Sequence, residues 1–169
     1  TLLETKTGQR FGNDINQWYI WLWNQPEAIQ ADYANFKADI YRNIDPRFDR
    51  YFRDRQSSAR IRLDEIRWGG VEQDGIPPLR NPKMMSVNQA TYLDDSNVVF
   101  GVEINGDARA YPKRILAWHE MFVDTIGGVD IAGVYCTLCG TVIPYKTTFK
   151  GKKYNLGTSG FLYRSNKLM

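Results

Sequence analysis

Sulfur and imidazole are scarce in this sequence, whose 169 residues include two cysteines and one histidine. Two cysteines leave the compartment open, since they fit a disulfide outside the cytoplasm or a metal site anywhere. With one histidine, a serine nucleophile at Ser159 or Ser165 has no base that lacks a competing use. Long apolar runs are missing too. None approaches the roughly 20 residues a membrane helix needs, which excludes a helical transmembrane segment. No signal peptide is visible, and a start at Thr1 in place of Met is what a processed chain would show. The charge has no dominant sign. The net charge is +3 with acids and bases interleaved, and no clustered basic face of the kind nucleic-acid binders carry is evident. The densest basic run, Arg47 to Arg60, also holds Asp49 and Asp54 and reads as solvated surface. Gly69-Gly70 and the stretch 157–160 lack the Lys-Ser/Thr of a phosphate loop. Internal repeats and low-complexity segments are absent.

Aromatic residues are plentiful. At 14% aromatic and 43% hydrophobic, the chain is expected to be globular and to contain β-structure. Residues 1–60 read as a helical appendage. Asn13 or Asp14 can cap a helix that places Ile15, Trp18, Tyr19 and Leu22 on one face and stops or restarts at Pro26. Tyr33, Phe36 and Ile40 mark a second amphipathic helix, and Phe48, Tyr51 and Phe52 a short third piece. Such aromatic stripes are usually core or docking surface. Trp18, Trp21 and Trp23 are therefore candidate anchors for a protein partner. The polar stretch 53–60 reads as a linker.

From Ile61 to Met169 the texture changes to short strands and turns. Asn105-Gly106 supplies the pair of positive φ angles of a type I′ hairpin between strands 98–104 and 108–111. Pro112 suits the first turn of a helix reaching about Phe122, with Ile115, Trp118, His119 and Phe122 on its inward face. Further strands are expected at 129–135, 142–148 and 154–158. The fold class that follows is α+β, with a mainly antiparallel sheet domain.

The chemistry-bearing stretch is Tyr135-Cys136-Thr137-Leu138-Cys139-Gly140-Thr141. A Cys-x-x-Cys loop can close an exchangeable disulfide or ligate one soft metal ion. An imidazole nearby turns the balance towards metal, because Cys and His together suit copper, zinc or iron. The intervening segment can return as one strand and set the loop beside His119. A site of His119, Cys136 and Cys139 would bind one transition metal ion, copper or zinc, with a coordination position left open. The bland alternative is a buried histidine bonded to a carbonyl, and cysteines that only staple a turn. Thioredoxin-like activation needs a helix N-terminus after the cysteines, whereas Gly140-Thr141-Val142 leads into a strand. Glu120 invites comparison with zinc deaminases. In those the Glu lies two residues after the His, and Pro precedes the Cys-x-x-Cys; here Glu120 follows His119 directly and Tyr135 stands in place of the Pro. Adjacent helical residues project about 100° apart, so Glu120 is expected exposed or behind the ligands.

Several ordered segments carry a resemblance. They are Arg67-Trp68-Gly69-Gly70-Val71, Asp74-Gly75-Ile76-Pro77-Pro78-Leu79, Gly101-Val102 with Asn105-Gly106-Asp107-Ala108-Arg109-Ala110-Tyr111-Pro112, Trp118-His119-Glu120, the cysteine loop, and Ser159-Gly160-Phe161-Leu162-Tyr163-Arg164-Ser165-Asn166. Together they resemble a bacterial family catalogued as domain of unknown function 3179, over 61–169. The resemblance implies no established activity. It implies a periplasmic or secreted location, and a chain that in the family runs beyond the position of Met169. It also suggests that Asp107, Arg109 and Tyr111, with Ser165 and Asn166, line a cleft near the metal ligands. The readings carried forward are three. The first is an extracytoplasmic copper- or zinc-binding protein, with oxidoreductase activity among its options. The second is a metal-free thiol–disulfide protein. The third is a non-enzymatic accessory subunit docking through its aromatic helices.

Overall fold

The computed structural model describes residues 1–25 and 30–169; Pro26 lies outside them. Helix α1 (Leu2–Thr7) is held by a capping box in which Thr1 and Glu4 satisfy each other's main-chain N–H groups. Helix α2 (Ile15–Trp23) starts where expected, because the Asp14 carboxylate accepts from the N–H groups of Asn16 and Gln17. Neither helix buries a residue. Among the described residues, no helix is long and apolar enough to cross a membrane.

Helix α3 (Tyr33–Tyr41) forms as expected but turns a different face inward. Ala34, Lys37 and Ala38 are buried, while Phe36 and Ile40 stay exposed. Small side chains let α3 approach closely, and the α4 turn (Asp49–Phe52) supplies the aromatic bulk. Strand β1 (Ile66–Trp68) pairs antiparallel with β10 (Phe161–Tyr163), which turns through Arg164 and Ser165 into β11 (Asn166–Lys167). One core then unites Ala34, Ala38, Phe48 and Phe52 with Leu63, Ile66 and Phe161. This core straddles residue 60, the expected edge of the appendage. Asp45 ties the same two stretches together, as its buried carboxylate accepts from the N–H of Gln73 at 3.1 Å.

Lys37 gives this core a pH signature. Its ammonium donates to the carbonyls of Leu63 and Ile66, both at 2.6 Å, and lies 5.4 Å from the Tyr41 ring centroid. Burial, seconded by Arg67, pushes its pKa down to about 8 against the opposing pull of Asp64. An unfolded lysine titrates near 10.4, so between these values the unfolded chain holds a proton that the folded chain has released. Stability from this group therefore rises with pH across that window. From pH 8 to 10 the difference in unfolding free energy between the native chain and Lys37→Met should shift by about 2 kcal/mol in favour of the native chain. Urea denaturation at several pH values checks it, and a flat difference would refute the assignment.

The second core is built on a sheet of order β2-β5-β6-β7. Strands β5 (Met121–Ile126), β6 (Val129–Cys136) and β7 (Thr141–Lys146) are antiparallel neighbours, and the short β2 (Leu79–Arg80) pairs parallel with β5. The Asn105-Gly106 hairpin is present, joining β3 (Val99–Ile104) to β4 (Asp107–Pro112) with φ of 51° and 81° at the turn. Helix α5 (Lys113–His119) is shorter than expected. Glu120 takes a left-handed conformation (φ 54°), and Phe122 lies in β5 instead of on the helix. The run Met121 to Ile126 gains a full ladder with β6, which outweighs continued helix. Trp118 consequently sits 80% exposed and not on an inward face. The stretch 154–158 forms no strand; the last small sheet pairs β8 (Thr148–Phe149) with β9 (Lys152–Lys153).

Candidate functional site

The β5–β6 ladder sets the geometry. Met121 opposes Val134, and the Tyr135 N–H donates to the Glu120 carbonyl at 2.9 Å, extending the pairing one step. His119 and Cys136 are the next residues outward, so both stand at the same end of the sheet. The β6–β7 hairpin closes there. Cys136 opposes Thr141, and Gly140 (φ 65°) donates its N–H to the Cys136 carbonyl at 2.9 Å. Within that tight loop the N–H of Cys139 reaches the Cys136 sulfur at 3.3 Å, and the N–H of Leu138 also supports it.

Both cysteines are free, and their sulfurs share a hydrogen bond of 2.9 Å. The Cys136 thiol is held below its ordinary pKa, first by that bond and then by the Cys139 N–H, with Lys167 adding a smaller pull. The same bond pushes Cys139 up. Cys136 is thus the sulfur that ionises first, the requirement for either ligation or nucleophilic attack. No helix follows the pair, since β7 begins at Thr141. Main-chain amides of the hairpin take the place of a helix N-terminus.

His119 is anchored through Nδ1, 2.9 Å from the carbonyl oxygen of Pro77. A carbonyl can only accept, so Nδ1 carries the hydrogen, and in the neutral ring Nε2 keeps its lone pair. This is the carbonyl–histidine arrangement that orients imidazole ligands of metals. Among the described residues nothing hydrogen-bonds to Nε2. Nor is any group of three or more His, Cys, Asp or Glu side chains there gathered around one point as ligands.

Glu120 is half-buried and paired. Its left-handed backbone, a strain of about 1–2 kcal/mol for a non-glycine residue, is held by three bonds. Its N–H donates to Leu116, its carbonyl accepts from Tyr135, and its carboxylate pairs with Lys167. Lys167 also donates to the Tyr135 carbonyl at 3.4 Å, so β11 is pinned beside the cysteine loop. No spacing rule pointed to Lys167.

The expected cleft residues are split between two places. Arg109 and Tyr111 meet at Asp124, to which Arg109 donates at 2.7 Å and Tyr111 OH at 2.7 Å, while Asp107 joins through Arg109 at 3.1 Å and accepts from Gly127 N–H at 3.0 Å. Burial, then the bond to Asp124, raises the Tyr111 pKa, while Arg109 holds Asp107 low. Asp124 opposes Ile131, five residues before Cys136 on β6. At about 3.4 Å per residue, that is about 17 Å from the cysteine end. This network locks the β3–β4 hairpin to β5. Asp124 is buried in β5 and such a group demands a partner, but its burial shows only in the fold. Ser165 and Asn166 belong to the β10–β11 turn, where Asn166 Nδ2 donates to the Arg164 carbonyl. Through β11 they are near Lys167, but both are exposed.

Beyond the end of the β5–β6 pairing lie a tight hairpin with one amide-supported sulfur beside a second, and a carbonyl-anchored histidine. Residues 73–169 match the profile of a family described as a protein of unknown function, DUF3179. The chain belongs to the DUF3179 family. His119, Glu120, Cys136, Cys139 and Lys167 all lie inside the DUF3179 match, as does the Asp124 network; Trp18, Trp21 and Trp23 precede it. No curated protein and no solved structure matches the chain.

Proposed function

We propose that this DUF3179 protein is an extracytoplasmic metal-binding protein that holds one copper or zinc ion through Cys136, Cys139 and His119. The observation that carries the reading is the hairpin loop itself, which aims main-chain N–H groups at one sulfur and sets the second beside it. Two thiolates each about 2.3 Å from a tetrahedral ion stand about 3.8 Å apart, so an ion would open the pair by under about 1 Å. It would also draw in Nε2 of His119, whose tautomer is already suited to ligation. Three protein ligands leave a position for an exogenous group, as transfer or redox sites do. The location rests on the sequence resemblance.

Full-length protein loaded with copper or zinc and freed of excess ion should retain close to one equivalent by elemental analysis. Cys136→Ser and Cys139→Ser should each fall near zero, and His119→Ala should bind at least about tenfold more weakly, the loss of one ligand. Stoichiometric metal in both serine variants would overturn the site.

One observation favours a second reading. The sulfurs are also within about 1 Å of disulfide distance, so Cys136 thiolate could attack a partner's disulfide and Cys139 then displace it, transferring two electrons to the partner. Intact mass of unreduced, metal-free protein separates the two: a Cys136–Cys139 bond that cycles with a glutathione couple supports exchange. Docking through the tryptophans has less behind it. Trp18 is occupied by Phe11, at 4.9 Å between ring centroids, and by the Gly12 carbonyl, which leaves Trp23 the most open of the three.

A further inference from the structure

The fold does not treat the arginines of the 47–60 run alike. Arg47 pairs with Asp45 at 2.8 Å, and Arg53 with Asp49 and Asp39 at 2.6 and 2.7 Å. Arg50 and Arg55, on the same short stretch, have no carboxylate partner among the described residues. Arg50 donates to the neutral amide oxygen of Gln73 at 2.6 Å and lies over the Tyr51 ring at 5.5 Å. The Arg55 guanidinium has no partner among the described residues. Arg80, on β2, joins them in space. It donates to the Asn155 amide oxygen and to the Leu156 carbonyl, both at 2.9 Å and both neutral.

All three line one cleft of about 420 Å³. Its walls come from the helical segment on one side and from the family-matched domain on the other, the kind of junction where small-molecule sites concentrate. Asp74 is the one carboxylate side chain in the lining, and its Oδ1 is already occupied by the Thr158 N–H at 2.9 Å. Three guanidiniums stand against the Asp74 side chain and the terminal carboxylate of Met169, which also lines the cleft, so positive charge remains in excess there. Neutral acceptors fix the direction of a guanidinium fork without cancelling its charge, which is the preparation an incoming oxyanion requires.

We infer that this cleft binds a dianionic small molecule, a phosphate or a dicarboxylate, through Arg50, Arg55 and Arg80. The site is separate from the cysteine loop and does not depend on the metal reading. Full-length protein at low ionic strength is titrated calorimetrically with inorganic phosphate and with succinate. Saturable binding of at least one is expected; phosphate alone assigns a single-headed dianion and succinate alone a two-headed one. Arg55→Gln should weaken that binding at least about tenfold, the loss of one charge-assisted contact. Because Arg55 holds no other side chain in place among the described residues, this variant reads the ligand and not the fold. Arg114→Gln, outside the cleft, should bind as the native chain does. Absence of saturable binding for both anions, or equal affinity in Arg55→Gln, overturns the site.

Discussion

Phe161→Ala is expected to destabilise the protein by about 3–5 kcal/mol, the range for removing a fully enclosed aromatic ring. The side chain is 3% exposed and surrounded by four rings: Phe48 at 4.6 Å, Tyr41 at 4.9 Å, Phe52 at 5.2 Å and Tyr51 at 6.1 Å between centroids. Most contacts are edge-to-face, which adds to the area term. All four partners precede residue 60, while Phe161 lies on β10 inside the family match. The substitution therefore measures how firmly the helical segment is joined to the sheet domain. Urea denaturation of the full-length protein gives the number. A loss below about 1 kcal/mol would mean that the two stretches are stable without each other. A chain starting at Ala59 removes all four rings at once, and by the same packing should expose Phe161, Leu63 and Ile66 together.

The order of elements was readable wherever a local rule acts alone. Asp14 capped its helix and Asn105-Gly106 made its turn, because each depends on a few adjacent residues. The α+β class with mainly antiparallel pairing followed from turn spacing in the same way. Reading failed where a distant partner decides. Phe36 and Ile40 kept the helical period yet face solvent, since the bulk that fills the α3 contact comes from Phe48, Phe52 and Phe161. Helix α5 stops at His119 because β6 captures Met121 to Ile126, a choice invisible in a window of one helix. At the site, Cys136, Cys139 and His119 were legible as rare residues; the ladder sets His119 and Cys136 beyond the same end of the β5–β6 pairing, while among the described residues no three ligand side chains gather around one point. Lys167, Asp124 and the Pro77 carbonyl were not, for their roles come from contacts across long stretches of chain. The arginine run looked uniform, and only the fold distinguishes Arg47 and Arg53, neutralised by carboxylates, from Arg50 and Arg55, which among the described residues are not.

Gly133→Ala should be as damaging as losing a core ring, although it adds a single methyl group. A Cβ at Gly133 would fall 2.0 Å from Cε1 and 2.3 Å from Cζ of Phe122, far inside van der Waals contact. The ring has no retreat. It is 1% exposed and stacked on Tyr111, 3.8 Å away between centroids and 11° from parallel. Tyr111 is fixed in turn by its hydrogen bond to Asp124. Overpacking of this kind is expected to destabilise by about 3 kcal/mol. The consequence reaches the candidate site, because Phe122 and Gly133 face each other in the β5–β6 register that sets His119 and Cys136 at one end. If the metal reading holds, metal affinity should fall along with stability, with every proposed ligand still present. Gly101→Ala is the control. It also lies in a strand, with negative φ and no atom within 4 Å of its new methyl, and should change stability by less than about 0.5 kcal/mol. Equal unfolding midpoints for the two variants would show that Phe122 can move aside, and that the β5–β6 contact does not fix the geometry of the cysteine end.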